Sequence, residues 1–190
     1  MRPADDTIKE RFIIAAIDEI KQRGIVDFSI RNIAKKCHVS SGAPYKHFKS
    51  KNEMILEVIH YIDGQWHKKQ EEIMKNAPDD VVEQLLDISV GYIVFLHEHP
   101  EFQTILMMND NTIDPDHRSK KAKMSDLSQE LITKYCKMVN MSKEDEIRKT
   151  YVVRALIFGA AIMFNSGLLE FSDDMLNMMR GCILREFNIA

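Results

Sequence analysis

Residues 28–48 read Phe28-Ser29-Ile30-Arg31-Asn32-Ile33-Ala34-Lys35-Lys36-Cys37-His38-Val39-Ser40-Ser41-Gly42-Ala43-Pro44-Tyr45-Lys46-His47-Phe48. Ser29 is placed to cap a short helix whose apolar positions are Ile30, Ile33, Ala34 and Cys37, with Arg31, Lys35 and Lys36 turned outward. A turn over Cys37–Ser40 follows. Ser40 or Ser41 can then cap a third short helix, with Gly42 and Pro44 in its opening residues and Tyr45-Lys46-His47-Phe48 as its last turn. Two short helices joined by a three- to four-residue turn have the spacing of a helix-turn-helix.

The flanking sequence supplies what such a unit packs against. Ile8, Phe12, Ala16 and Ile20 recur every four residues, with Ile13 and Ile17 beside them and Lys9, Glu10, Asp18, Glu19 and Lys21 on the other side, a first helix closing at Gly24. After Lys49-Ser50-Lys51-Asn52, a long fourth helix runs through Met54, Ile55, Val58, Ile62 and Met74 and ends before Pro78. Val39 and Phe48 are expected to lock the third helix onto Phe12, Ala16 and Ile33, leaving Ser41, Ala43, Tyr45, Lys46 and His47 outward. Hydroxyl, amine and imidazole groups there suit phosphates and base edges, and the start of the Ser29 helix suits a phosphate.

Charge agrees with that placement. Residues 1–51 hold 11 Lys or Arg against 6 Asp or Glu, net +5, whereas residues 52–190 hold 15 against 23, net −8, within a chain of formal charge −3. A local basic cluster, rather than net charge, creates a field attractive to a polyanion.

The stretch Ala15-Ala16, Gly24, Phe28 to Ala34 and Val39 to Lys51 resembles the DNA-binding signature of the TetR family of bacterial one-component regulators, over about the first 60 residues. Ala43 and Pro44 stand where that family more often has Thr and an aliphatic residue, and His38 where Gly is usual. Ala43 can still touch a thymine methyl. The resemblance implies an N-terminal DNA-binding domain over residues 5–66 and a helical effector-binding and dimerisation domain over 67–190. The DNA-binding residues expected are Ser29, Arg31, Ser40, Ser41, Gly42, Ala43, Tyr45, Lys46, His47, Lys49 and Lys51.

Downstream, periodicity predicts helices over about 79–98, 101–108, 116–140, 143–170 and 174–188, so the chain reads as all-α with about nine helices. Ser142 heads a capping-box-like S-x-x-D. From Val152 to Leu169 nearly every position is apolar or small, so this helix needs cover on more than one side. It and the last helix are expected to pair two subunits through Val152, Ala155, Leu156, Gly159, Ala160, Met163, Met175, Met179, Ile183 and Phe187. A homodimer also fits the task, because one short recognition helix makes too few contacts and a two-fold pair reads an inverted repeat in double-stranded DNA. Eleven of the 12 Met lie at or beyond position 54, and such side chains serve irregular cores and adaptable cavities alike. An effector pocket is expected from Trp66, Tyr92, Phe95, Phe102, Met107, Met138, Phe158, Met163 and Asn165, with core packing as the competing reading of each.

Other classes are disfavoured. The longest apolar run, Ala155 to Phe164, is far short of the roughly 20 residues a membrane span needs, and Met1–Glu10 has no apolar leader region, so a cytoplasmic protein is expected. Cys37, Cys136 and Cys182 lack paired spacing and read as buried thiols; a redox role for Cys37 is a minor alternative. His97-Glu98-His99 places ligands on different helix sides, and Asp110, Asp114, Asp116 and His117 lack the calcium-loop spacing, so neither metal nor cofactor is expected. No nucleophile elbow, phosphate loop or dinucleotide fingerprint appears, which leaves no basis for an enzyme. The favoured reading is a repressor released by a small-molecule effector; the alternative is an effector-independent structural or adaptor DNA-binding protein with a vestigial ligand domain.

Overall fold

A computed structural model describes residues 3–24, 27–106 and 126–187. Over these the chain forms eight α-helices, one 3-10 turn and no strand: α1 Pro3–Arg23, α2 Ile30–Lys36, the turn Pro44–Lys46, α3 Lys51–Asn76, α4 Val81–Glu98, α5 Pro100–Leu106, α6 Asp126–Met138, α7 Lys143–Asn165 and α8 Asp173–Arg185. The expected loop at Asn109–Pro115, its acidic residues and Met107 lie outside the described residues. The helices divide into two units rather than at a single boundary after residue 66. Residues up to 64 join 101–106 in one unit, and residues 65–100 join 126–187 in the other.

The first unit is built on the α1 stripe. Phe12, Ile13, Ala16 and Ile20 are buried together with Ile30, Ile33 and Ala34 of α2, Phe48, and Met54, Ile55, Val58, Ile59 and Ile62 of α3. α1 stops because Gly24 takes φ +71°, a left-handed conformation nearly free of penalty only for glycine, and its amide bonds Ile20 O at 2.8 Å. Lys21 and Arg23 sit in that last turn, where cations suit the helix dipole. Lys9 bridges to Glu57 at 2.8 Å, tying α1 to α3.

In the second unit α4 is central and packs on α6, α7 and α8. Asp80 caps α4 by accepting from the amides of Val82 and Glu83, both at 2.9 Å. A Cβ at Gly91 of α4 would displace the Cδ1 end of the Ile73 side chain of α3, which packs over the glycine. Arg180 of α8 forks to Asp87 at 2.6 Å and to Glu83, joining α8 to α4. Ser142 and Ser172 cap α7 and α8 by accepting from Asp145 N and Met175 N.

α7 ends at Asn165 and not near residue 170. Gly167, at φ +72°, closes it: Gly167 N bonds Phe164 O at 3.2 Å and Leu168 N bonds Met163 O at 2.9 Å. Gly167 is therefore a helix stop.

Candidate nucleic-acid interface

Ser29 holds the extended φ of −131° expected before α2, but its hydroxyl makes no capping bond. α2 turns back at His38, whose φ of 57° lies in the left-handed region that His enters more readily than most residues. His38 N bonds Lys35 O at 3.1 Å and Val39 N bonds Ala34 O at 3.0 Å, closing the tight turn where the helix-turn-helix needs it.

The expected third helix is shorter and tighter than an α-helix. Ala43 N, Tyr45 N, Lys46 N and His47 N each bond the carbonyl three residues back, at 2.9, 3.2, 3.2 and 3.0 Å. Pro44, without an N–H, makes no bond to Ser40, and Phe48 N already returns to the four-back pattern, bonding Pro44 O at 2.9 Å. Ala43, not Ser40 or Ser41, stands at the cap position and no side chain caps it.

This geometry sorts the candidate residues. Ser40, Ser41, Gly42, Tyr45, Lys46 and Lys49 are exposed, Tyr45 by 54%, as are Arg31 and Lys35 of α2. Pro44 is buried and Ala43 half-buried, so the proline is a strut rather than a contact. His47 is half-buried and does not point wholly outward: its ring lies 5.6 Å from Phe12 and 6.3 Å from Phe48. Lys51 is half-buried with its ammonium 5.4 Å from the Phe28 ring, and the Lys49 amide donates to Glu53 at 2.5 Å. Phe48, at 1% exposure, meets Phe12 edge-on at 6.3 Å, as the sequence predicts; Val39 is half-buried. No Asp or Glu occurs between Phe28 and Asn52, and Arg31, Lys35, Lys46 and Lys49 of that stretch are all exposed.

Sequence reasoning missed how α2 is held. Glu19 is fully buried, with Oε1 accepting from Asn32 Nδ2 at 2.7 Å and Oε2 3.0 Å from Lys36 Nζ. Lys36 also bonds Asp18 at 2.7 Å and so faces α1 rather than outward. Burial alone pushes the Glu19 carboxyl up, but hydrogen bonds from Asn32 and Lys36 and the charges of Lys36 and Arg23 outweigh it and hold the group below its ordinary value. The available signal was that Glu19 falls on the apolar face beside Ile20 and Ala16.

The predicted pocket residues behave differently. Trp66, Tyr92, Phe95 and Phe158 do come together, Trp66 4.6 Å from Tyr92 and 5.3 Å from Phe95, and Tyr92 6.0 Å from Phe158. Trp66, Tyr92 and Phe95 are nevertheless buried in contact with one another, as core aromatics pack. Phe102 belongs to the other unit. Met138 and Met163 are exposed, the former by 68%, while Asn165 bonds His97 Nδ1 at 2.9 Å and donates to Leu96 O. Asn165 there ties α7 to α4.

The expected subunit face also divides. Ala160, Ile183 and Phe187 are buried within the unit, Phe187 edge-on to Tyr135 at 5.0 Å, and cannot reach a partner. Ala155 and Met163 are exposed, and Val152, Leu156, Gly159, Met175 and Met179 half-buried. Sequence reading overlooked the exposed Ile147, Tyr151, Ile162, Leu168, Phe171 and Met178. Ile147, Tyr151, Ala155 and Phe158 follow a helical spacing along α7 and, with Thr150 and Arg154, line an apolar hollow of about 470 Å³.

Cys37 and Cys136 are buried, and desolvation raises both thiols, against a reactive role; Cys182 is only half-buried. Among the described residues no group of three or more His, Cys, Asp or Glu could hold a metal ion, and no helix is long and apolar enough to cross a membrane.

Two short helical segments joined by a left-handed turn at residue 38, in a stretch from Phe28 to Asn52 that holds bases and no acids, define a helix-turn-helix domain of the DNA-binding class. Residues 12–58 match the family model described as bacterial regulatory proteins, tetR family. The chain is 28% identical over 114 residues to the HTH-type transcriptional regulator YerO of Bacillus subtilis (strain 168); the match covers 60% of this chain and 39% of that relative's length. Among solved structures, its fold is similar to a TetR family transcription regulator from Marinobacter aquaeolei VT8, with a TM-score of 0.77 at 18% identity over 98% of both chains. It is also similar to the transcriptional regulator FadR of Bacillus subtilis in complex with stearoyl-CoA, with a TM-score of 0.74 at 15% identity over 94% of this chain and 97% of that one.

Proposed function

We propose that the chain is a sequence-specific, DNA-binding transcriptional regulator, a homodimer that represses from an inverted-repeat operator and is released by a small-molecule effector. The observation that carries the DNA-binding reading is the exposed surface of Arg31, Lys35, Tyr45, Lys46 and Lys49, held by the turn at His38 and the 3-10 segment and free of acids from Phe28 to Asn52. Lys46 and Lys49 contact phosphates, and Ser40, Ser41, Gly42 and Ala43, being short, let the backbone approach the major groove. His47 contributes from the edge of the domain core.

The dimer reading rests on the exposed apolar residues of α7 and α8, since a monomer rarely leaves a contiguous stripe of this kind in water. Ile147, Tyr151, Ala155 and Ile162 share one face of α7 and form its centre. For the effector, the fold shared with a FadR bound to stearoyl-CoA supports an apolar ligand with an acyl chain. The effector weakens DNA binding by favouring a different state of the helical body, and by linkage DNA weakens effector binding by the same factor.

Selection of bound duplexes from a random pool by the purified full chain tests the first claim, with an inverted repeat as the expected product. Titrating long-chain acyl-CoA into the resulting complex tests the second; operator affinity that stays unchanged at saturating acyl-CoA removes that ligand class.

A further inference from the structure

We infer that Glu19 is a positioning residue for DNA recognition: its buried carboxylate, through Asn32 and Lys36, sets the rotation of α2 on α1 and thereby aims Arg31 and the turn that follows. The inference rests on the DNA-binding reading above and adds a residue that touches no DNA.

Glu19 lies on the buried side of α1 with no exposed surface, flanked on the apolar stripe by Ala16 and Ile20. An apolar side chain there would complete the core. A buried carboxylate instead incurs a large desolvation cost, and replacing a buried ionic cluster by well-packed apolar residues is often neutral or stabilising. Stability is therefore a poor reason for Glu19 to be present.

What the carboxylate does provide is direction. Its two oxygens engage α2 at two points one turn apart, Asn32 Nδ2 at 2.7 Å and Lys36 Nζ at 3.0 Å, and Lys36 is held again by Asp18 at 2.7 Å and Gln22 at 3.1 Å. Two polar anchors four residues apart fix a helix against rolling about its own axis, with a directionality that the apolar contacts of Ile30, Ile33 and Ala34 lack. Asn32 is the neighbour of Arg31, and Lys36 precedes the Cys37–Ser40 turn. A roll of roughly 20° carries a side chain at about 6 Å from the axis through about 2 Å, more than a hydrogen bond between heavy atoms at 2.7–3.2 Å tolerates.

The test uses the full-length chain and, as probe, the duplex it enriches from a random pool. Operator affinity, affinity for an unrelated duplex at the same salt, and melting temperature are measured for wild type, Glu19→Leu, Glu19→Gln and Asn32→Ala. Glu19→Leu, assayed well below its melting temperature, should bind the enriched duplex at least tenfold more weakly, with non-specific affinity within threefold of wild type. Glu19→Gln, which keeps an oxygen facing the Asn32 amide, should recover most of the loss. Asn32→Ala, at a half-buried position, should reproduce the loss of specificity even where Glu19→Leu fails to fold. Specific binding by Glu19→Leu or Asn32→Ala within threefold of wild type overturns the positioning role, as does a loss shared equally by both duplexes. A wild-type chain that enriches no duplex removes the DNA-binding reading itself, and this inference with it.

Discussion

Replacing Tyr151 by Ala removes the most exposed aromatic ring of the α7 stripe, and its effect on self-association follows from the geometry. The side chain is 73% exposed in the single chain. Aromatic residues bury about 150–250 Å² when fully enclosed, so about 110–180 Å² of Tyr151 is available to a partner. At about 25 cal/mol per Å² that is about 3–4.5 kcal/mol per subunit, and a two-fold interface contains the residue twice. Ordering the side chain offsets about 0.5–1.5 kcal/mol per subunit, and the Cβ that remains in Ala retains part of the area. Over both copies about 3–8 kcal/mol remains, less the share of that Cβ, so the dimer Kd should rise by about two orders of magnitude or more. Sedimentation velocity from nanomolar to micromolar protein reads this directly, with circular dichroism as the check on the fold, since an exposed side chain contributes little to subunit stability. A dimer Kd within threefold of wild type refutes the assignment of the α7 stripe, and a wild-type chain that stays monomeric throughout refutes the dimer.

The other expectations concern the first unit and the thiols. Lys46→Ala should weaken binding to all duplexes by a similar factor and lower the slope of log K against log salt by about one, whereas a loss confined to one sequence would make Lys46 a base reader. Phe48→Ala empties a site that is 1% exposed beneath the recognition turn, and should lower stability by about 3–5 kcal/mol by denaturant titration, with a loss under 1 kcal/mol contradicting the packing described. In the native protein at neutral pH a thiol reagent should modify Cys182 first, with Cys37 and Cys136 protected until unfolding; fast labelling of Cys37 would reopen a redox role.

The helix-turn-helix was legible because its signals are local. Gly24 ends α1, the run from Ile30 to Cys37 has one apolar face, and Phe12 and Phe48 are the bulky residues that close the unit, as the structure shows. The recognition segment was misjudged in form because three residues are too few to tell three-back from four-back bonding, a choice made by hydrogen-bond geometry rather than by periodicity. Glu19 was placed on the wrong side of α1 for a related reason: a charged residue on an apolar stripe reads as an exception until its partners, 13 and 17 residues away, are in view.

In the second unit the order of the helices was readable, and the roles of individual side chains were not. Which face of α7 meets its own core is decided by α4 and α6 packing on Val153, Ile157, Ala161 and Phe164, and nothing within the Val152 to Leu169 run distinguishes those positions from Tyr151 or Met163. Ile183 and Phe187 look like interface residues on a helical wheel, yet Tyr135 and Lys149 enclose Phe187 from α6 and α7. The aromatic cluster at Trp66, Tyr92, Phe95 and Phe158 was located but fills its space with its own rings.

The central claim is that two copies of the first unit read DNA as a symmetric pair. The most direct measurement is selection of bound duplexes from a random pool at moderate salt by the purified full chain, followed by sequencing. The account predicts one inverted repeat whose half-site centres lie about one helical turn, roughly 34 Å, or a multiple of it apart. Recovery of no preferred sequence, or of a single unrepeated site, would contradict it.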